Sequence, residues 1–131
     1  MKEITGINHV GLRVKSLAVS RDFYAKLGFE FIAGPLGPEP VAIMEHPSGV
    51  NINFILNAAE EFNTNMLMDV PEKYTGYTHV ALEVIDLEAV QVALVNLGIP
   101  LSGGPITTPE GATFIFIRDP DGNVIEFHKP A

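Results

Sequence analysis

The chain has 131 residues, which is enough for one compact unit and too few for two independent globular domains. Hydrophobic residues make up 47% of it, which is ample for a packed core. Its 16 acidic residues outnumber the 8 basic ones, so the formal net charge is −8. This balance disfavours nucleic acid and anionic membranes as partners, because both attract clustered Lys and Arg.

Other partners and compartments are limited by what the sequence lacks. There is no cysteine, which excludes disulfides and thiolate metal sites. No apolar run approaches the length of a membrane-spanning helix, and residues 1–5 lack the apolar stretch of a signal peptide. We therefore expect a cytoplasmic protein.

The sequence repeats itself. Residues 6–29 align with residues 76–99 without a gap, at a constant shift of 70 positions. The identical positions, each matched 70 residues later, are Gly6, His9, Val10, Leu12, Val14, Leu17, Leu27 and Gly28. A second repeat relates residues 47–54 to residues 120–127 at a shift of 73. Duplicated folds usually close with approximate two-fold symmetry, so we expect matched positions to face each other.

Each half is predicted to begin with a strand, over residues 8–14 and 78–84. Aliphatic residues alternate with other residues in both segments, which places one face of each strand in a core. His9 and His79 fall on the other face, each followed two positions later by a small residue, Gly11 or Ala81. The small residue leaves space beside each imidazole.

A helix follows each of these strands. Ser16 and Asp86 can cap the helix starts, and the Leu-Gly pairs ending at Gly28 and Gly98 are typical helix ends. Further strands are predicted over residues 29–33, 41–45 and 50–56, and over residues 100–101, 113–118 and 123–128. Each half is therefore β-α-β-β-β, with a first module over about residues 4–57, a connector over 58–75 and a second module over about 76–129. One half cannot bury both its helix and the opposite face of its sheet, so we expect the halves to associate into one domain over residues 1–131.

The repeat pairs two sets of possible metal ligands. His9 is matched with His79, and Asn53 is matched with Glu126, a carboxylate out of step with its apolar neighbours. Two imidazoles and one carboxylate suit Fe(II), Mn(II), Co(II), Ni(II) or Zn(II) and leave coordination positions open. The sequence thus predicts one divalent cation held by His9, His79 and Glu126, with Asn53 as a weak fourth ligand or a contact to substrate. The plainer alternative is that each histidine is an ordinary surface or hydrogen-bonded residue.

Two further residues are weaker candidates. His128 shares the face of Glu126 and could act as a base behind the ligands, or lie at the rim. Glu45 ends a strand before a Pro-x-Gly turn and could be a catalytic proton-transfer residue, although an exposed strand end is the preferred explanation. Four other side chains are assigned to core or connector packing, with an apolar substrate wall as the alternative: Phe54, Phe62, Met66 and Met68.

With these residues in hand, the chain resembles the vicinal oxygen chelate superfamily, which contains glyoxalases, bleomycin-resistance proteins and extradiol dioxygenases. The resemblance covers nearly the whole chain and is strongest in the segments 7–10, 22–29 and 116–127, the last holding the run D-P-D-G-N-V-I-E. It implies an α+β fold in which two tandem βαβββ modules form one cupped mixed sheet with the helices outside. It also implies a homodimer and a single metal ion, held by His9, His79 and Glu126, that chelates two neighbouring substrate oxygens.

The chain departs from individual members of that superfamily. Glyoxalase I enzymes have a glutamate, and methylmalonyl-CoA epimerases a glutamine, where this chain has Asn53. Extradiol dioxygenases have a tyrosine where this chain has Phe116, and fosfomycin-resistance transferases have a lysine in the region of residues 102–113, where none occurs. The leading hypothesis is a metal-dependent dioxygenase, or a lyase or isomerase, acting on a small oxygen-rich molecule with Glu126 as ligand and catalytic residue. The alternative is a metal-free protein that binds or sequesters a drug.

Overall fold

The computed structural model describes residues 1–61 and 63–131, so Phe62, which the sequence assigns to packing, lies outside the described residues. The chain divides into two compact units. The second is Asn63–Ala131, and the first is the part of the chain that precedes it.

Each unit has one helix among its described residues. In the first unit the elements are β1 (Val10–Arg13), α1 (Leu17–Lys26), β2 (Glu30–Leu36), β3 (Val41–Glu45) and β4 (Asn51–Ile55). In the second they are β5 (His79–Glu83), α2 (Leu87–Leu97), β6 (Gly103–Thr107), β7 (Thr113–Arg118) and β8 (Val124–Lys129). Across the described part of the chain, neither helix has the length and apolar character needed to cross a bilayer.

Both units have the same sheet topology. The strand orders are β1-β4-β3-β2 and β5-β8-β7-β6, and in each sheet the first and last strands of the unit pair in parallel. The remaining pairs are antiparallel. The predicted α+β class and the two tandem βαβββ modules are confirmed, and the closure of both sheets into one cup stays a prediction.

The predicted bounds of two strands were wrong. The strand predicted at residues 100–101 instead spans Gly103–Thr107, and β2 continues to Leu36. Both strands run through a Gly-Pro pair, Gly34-Pro35 or Gly104-Pro105, that resembles a turn in sequence. Proline is tolerated here because β2 and β6 are edge strands, where a missing N–H leaves no inner ladder bond unmade.

The helix boundaries follow from the predicted caps. Ser16 Oγ accepts from Val19 N at 3.3 Å, and an Asp86 carboxylate oxygen accepts from Ala89 N at 2.9 Å. After each helix comes a glycine with positive φ, Gly28 at 93° and Gly98 at 70°. A residue with a side chain rarely adopts this conformation, so the glycines end both helices.

Each module has its own apolar core beneath its helix. In the first, Tyr24 is fully buried and packs edge-on against Phe29 and tilted against Phe54, with ring centroids 5.7 and 5.4 Å apart. Phe54 is therefore a core residue, as predicted. The second core is mostly aliphatic, with Leu94 of α2 buried, as are Ile115, Ile117 and Ile125 of the sheet, together with Phe127.

One close approach in the second sheet requires glycine. Gly104 has φ 82°, and a Cβ there would lie 2.7 Å from the carbonyl oxygen of Phe114 and 3.1 Å from Ile115 Cα. Both atoms belong to the backbone of β7, so they cannot rotate away. Gly11 is the contrast, because a Cβ there would have nothing within 4 Å.

We predict that Gly104→Ala lowers the free energy of unfolding by about 2–4 kcal/mol, since it combines an unfavourable φ with a backbone clash. Gly11→Ala is the matched control and should change it by no more than about 0.5 kcal/mol. Urea denaturation followed by circular dichroism measures both. Equal stabilities for the two variants would contradict the assigned approach of β6 to β7.

Candidate functional site

The parallel pairing of β5 and β8 brings the candidate site residues of the second unit together. Ala81 lies opposite Glu126, and Glu83 lies opposite His128. Because alternate residues of a strand share a face, His79 lies on the same side of the sheet as Glu126 and His128. We call this side, opposite the face of Ile125 and Phe127, the polar face.

Glu126 is a buried carboxylate held between two imidazoles. Only 8% of the residue is exposed. Its Oε2 lies 3.0 Å from His79 Nε2, and its Oε1 lies 2.7 Å from His128 Nδ1. A buried carboxylate is costly unless its oxygens are satisfied, and here both of them have imidazole partners.

The ring of His79 is oriented from both sides. Its Nδ1 lies 2.8 Å from Thr78 Oγ1, and its Nε2 points at the carboxylate. Because a carboxylate oxygen accepts, the Nε2–H of His79 donates to Glu126 at this distance. Without that proton, the nitrogen and the oxygen are both atoms that divalent metals accept as ligands.

Aromatic rings border these imidazoles. Phe116 meets His79 edge-to-face, with centroids 5.9 Å apart, and Phe114 stacks on His128 at 5.6 Å with an interplanar angle of 4°. Both phenylalanines lie on the polar face, because Phe116 is opposite Glu126 and Phe114 is opposite His128. They restrict the imidazoles and give the site an apolar border.

The first unit repeats part of this arrangement. His9 precedes β1 and is exposed, and its Nδ1 lies 2.8 Å from Asn8 Oδ1, as Thr78 holds His79. Asn53 lies opposite Gly11 in the sheet, as Glu126 lies opposite Ala81. His9 and Asn53 thus occupy the face of the first sheet that corresponds to the polar face of the second.

Glu45 lies at the exposed end of β3. It stands opposite Asn51 on β4 and Glu30 on β2, and it alternates with the buried residues Ala42 and Met44. Its side chain therefore shares the face of Asn53. Its role in proton transfer stays a prediction.

Of the predicted ligands, the structure brings His79 and Glu126 into contact, with His128 behind them, while His9 belongs to the other unit. Across residues 1–61 and 63–131, no group of three or more His, Cys, Asp or Glu side chains is arranged to hold a metal ion. The donor chemistry of His79 and Glu126 suits a divalent cation, and a third ligand is needed to complete a set of this kind.

Two structural residues of the site were missed in the sequence. Asp119 is buried, and its carboxylate accepts from the backbone N–H groups of Asp121 and Asn123 at 2.9 Å each and from Asn123 Nδ2 at 2.9 Å. Asp119 and Asn123 therefore shape the hairpin turn that places β8 and Glu126. The D-P-D-G-N run indicated a turn, and the position of an Asp before Pro was the signal for such a side-chain cap.

Comparison with known proteins agrees with this architecture. The family model described as "Glyoxalase/Bleomycin resistance protein/Dioxygenase superfamily" matches residues 6–127. A glyoxalase family protein from Enterococcus faecalis is 25% identical with a TM-score of 0.75, over 94% of this chain and 96% of that one.

Two neighbours with lower sequence identity share the fold. TnmS3, an antibiotic binding protein from Streptomyces sp. CB03234, is 21% identical with a TM-score of 0.73, and the match covers 98% of both chains. The fosfomycin resistance protein FosX from Listeria monocytogenes is 18% identical with a TM-score of 0.70, over 98% of this chain and 95% of that one.

We predict that Asp119→Ala lowers the free energy of unfolding by about 1–3 kcal/mol, because half-buried donors of the turn lose their acceptor. Glu110→Ala removes the same charge from an exposed position in the β6–β7 loop and should change stability by less than about 0.5 kcal/mol. Chemical denaturation of both variants provides the measurement. A loss for Asp119→Ala no larger than for the control would rule out this role in the turn.

Proposed function

Since the chain belongs to the glyoxalase/bleomycin resistance protein/dioxygenase superfamily, we propose that it is a divalent-metal-dependent enzyme. Its substrate would be a small molecule bound through two neighbouring oxygens. Members of this superfamily commonly use divalent metals and bind small molecules. The reaction is of the dioxygenase type or of the lyase or isomerase type.

The observation that carries this proposal is the buried carboxylate of Glu126, with His79 Nε2 3.0 Å from one oxygen. If this position served packing alone, an apolar residue would be more favourable than a carboxylate beside two imidazoles, because it would avoid the desolvation cost. A cation bound by both side chains would account for the orientation of His79 Nε2 and Glu126 Oε2 towards each other. Neutral imidazole and carboxylate are the ligands such metals accept.

His9 is proposed as the third ligand. Its Nδ1 contacts Asn8, as the Nδ1 of His79 contacts Thr78, so in both residues Nε2 is the nitrogen left for a metal. Asn53, which occupies the position equivalent to Glu126, is proposed as a fourth oxygen ligand or as a hydrogen-bond donor to substrate. His9 would come from the same chain or from a second copy.

When bound, the cation would supply Lewis acidity and open coordination positions for two substrate oxygens. The protein's own residues have separate roles. His128 Nδ1–H donates to Glu126 Oε1 and thereby fixes the orientation of the other oxygen. Phe114 and Phe116 restrict water beside the imidazoles, and Glu45 is the candidate for moving a proton.

A metal-free binding protein is the second candidate. The observation favouring it is the aromatic border, since Phe114 and Phe116 lie 5.7 Å apart, edge-to-face, beside the site. Such rings suit contact with an apolar or aromatic drug. TnmS3, which has the same fold, is described as an antibiotic binding protein.

The assembly and location are also proposed. A homodimer is the proposed assembly, and the two modules would pair either within one chain or across the two copies. The cytoplasm is the proposed compartment, because the chain has no cysteine to form disulfides.

Metal analysis of protein purified without an affinity tag tests the proposal. We expect close to one divalent ion per chain, and a loss of at least tenfold in metal affinity in His79→Ala and His9→Ala. Glu83→Gln is the matched control, because Glu83 lies on the same strand and face as His79 and is exposed. A metal-free wild type that binds an aromatic drug would favour the second candidate instead.

His128→Phe should weaken metal binding by about 10- to 100-fold while His79 and Glu126 are still present, because the carboxylate loses the donor that orients it. Phe keeps the aromatic ring that stacks on Phe114. Competition with a chelator of known affinity gives the measurement. An unchanged affinity would place His128 at the rim without a role.

Catechol binding followed by oxygen uptake distinguishes the two reaction types. If the chain is a dioxygenase, the anaerobic iron-loaded protein should give a charge-transfer band when catechol is added, and should consume oxygen once air is admitted. Catechol that binds without oxygen uptake would instead indicate the lyase or isomerase class.

A further inference from the structure

The connector forms a short hydrogen-bonded turn over residues 65–69. Asn65 Oδ1 accepts from the backbone N–H groups of Leu67 and Met68 at 3.1 and 3.2 Å, and Asp69 N donates to Asn65 O at 2.8 Å. We call this segment the connector turn. It belongs to the second unit, together with the polar face.

One side of the connector turn is fixed to the β7–β8 hairpin. Arg118 forms a bidentate salt bridge with Asp69, with Nη1 to Oδ2 and Nη2 to Oδ1 at 2.8 Å each. We call this salt bridge the Arg118–Asp69 fork. Arg118 Nη1 and Asn65 Nδ2 both also donate to Gly122 O, at 2.8 and 3.1 Å. The hydrogen bond from Arg118 holds the pKa of Asp69 below its usual value, as expected for a carboxylate paired with a guanidinium.

The other side of the connector turn reaches the start of β5. A Cβ on Gly76 would lie 2.9 Å from Leu67 Cδ1, so the Leu67 side chain packs directly on that glycine. Gly76 is three residues before His79. The turn therefore contacts Arg118 at the end of β7 and the segment that leads into β5, the two strands on either side of β8.

One cross-strand row of the polar face, which ends at the anchor residue Arg118, contains the proposed metal ligand His79. His79 on β5, Val124 on β8 and Arg118 on β7 are cross-strand neighbours, so they form one row on the polar face. Val124 is only 5% exposed. The connector turn is anchored at Arg118 and at Gly76, and Val124 lies between His79 and Arg118 in this row.

From this placement we propose that the connector turn is the end wall of the His79–Glu126 site and that the Arg118–Asp69 fork sets its specificity for substrate size. Met66 is 42% exposed within this turn, and Met68 is half-buried, so the wall offers flexible apolar side chains. Asp69 is a positioning residue, acting through the turn it anchors. The inference rests on the proposed function, because it assigns a wall to that metal site.

The test compares two bidentate probes of different size on iron-loaded protein without oxygen. Dissociation constants for catechol and 4-tert-butylcatechol are measured by absorbance titration for the wild type, Asp69→Asn and Arg118→Lys. Glu72→Gln is the matched control, since it removes the same charge from the connector but its side chain contacts Tyr74 and not the hairpin.

We expect the wild type to prefer the larger probe, and both fork variants to reduce that preference about fivefold, because a released turn loses apolar contacts with the tert-butyl group. Affinity for catechol itself and for iron should change less than twofold, and the control should match the wild type. Loss of stability alone would weaken both probes equally. Exchange of the Leu67 and Met68 amide hydrogens should quicken in the fork variants.

Different results would overturn the end wall and the proposed function. A wild type that binds iron and catechol but keeps its probe preference in both fork variants overturns the end wall alone. A wild type that binds no metal overturns the proposed function, and the wall with it.

Discussion

The candidate site depends on the parallel pairing of the first and last strands of each module. This pairing sets Ala81 beside Glu126 and Gly11 beside Asn53, with a histidine two residues earlier on the same face. A slip of one residue would turn the carboxylate towards the aliphatic core. The register is fixed by the cores, because Ile125 and Phe127 must be buried on the opposite face.

The same register leaves Glu126 buried on the polar face. A carboxylate that is 8% exposed would be unfavourable without its partners, and His79 and His128 supply one partner to each oxygen. The three side chains come from two adjacent strands, so the scaffold holds them rigidly. Thr78 and Phe116 then limit the rotation of His79, and Phe114 limits that of His128. A preorganised set of this kind suits a ligand whose bonds require fixed geometry.

Much of this could be predicted from the sequence because local signals and the repeat agreed. Alternating residues indicated β1 and β5, capping residues located both helices, and the matched histidines and Glu126 drew attention to one face. The limits of β2 and β6 could not be predicted, because their Gly-Pro pairs resemble turns unless the edge position of the strand is known. The Arg118–Asp69 fork also could not be predicted from the sequence, since it joins side chains 49 residues apart that no periodic pattern relates. Local rules describe neighbours along the chain, and this contact depends on tertiary placement.

The decisive measurement for the proposed metal site uses crystals of the protein grown with Mn(II) or Co(II). Anomalous scattering then locates the metal. We predict one strong peak within about 2.2 Å of His79 Nε2 and of a Glu126 oxygen, with His9 Nε2 from the same or a second chain completing the set. A peak elsewhere, or no peak at saturating metal with the His79–Glu126 contact unchanged, would contradict the central claim.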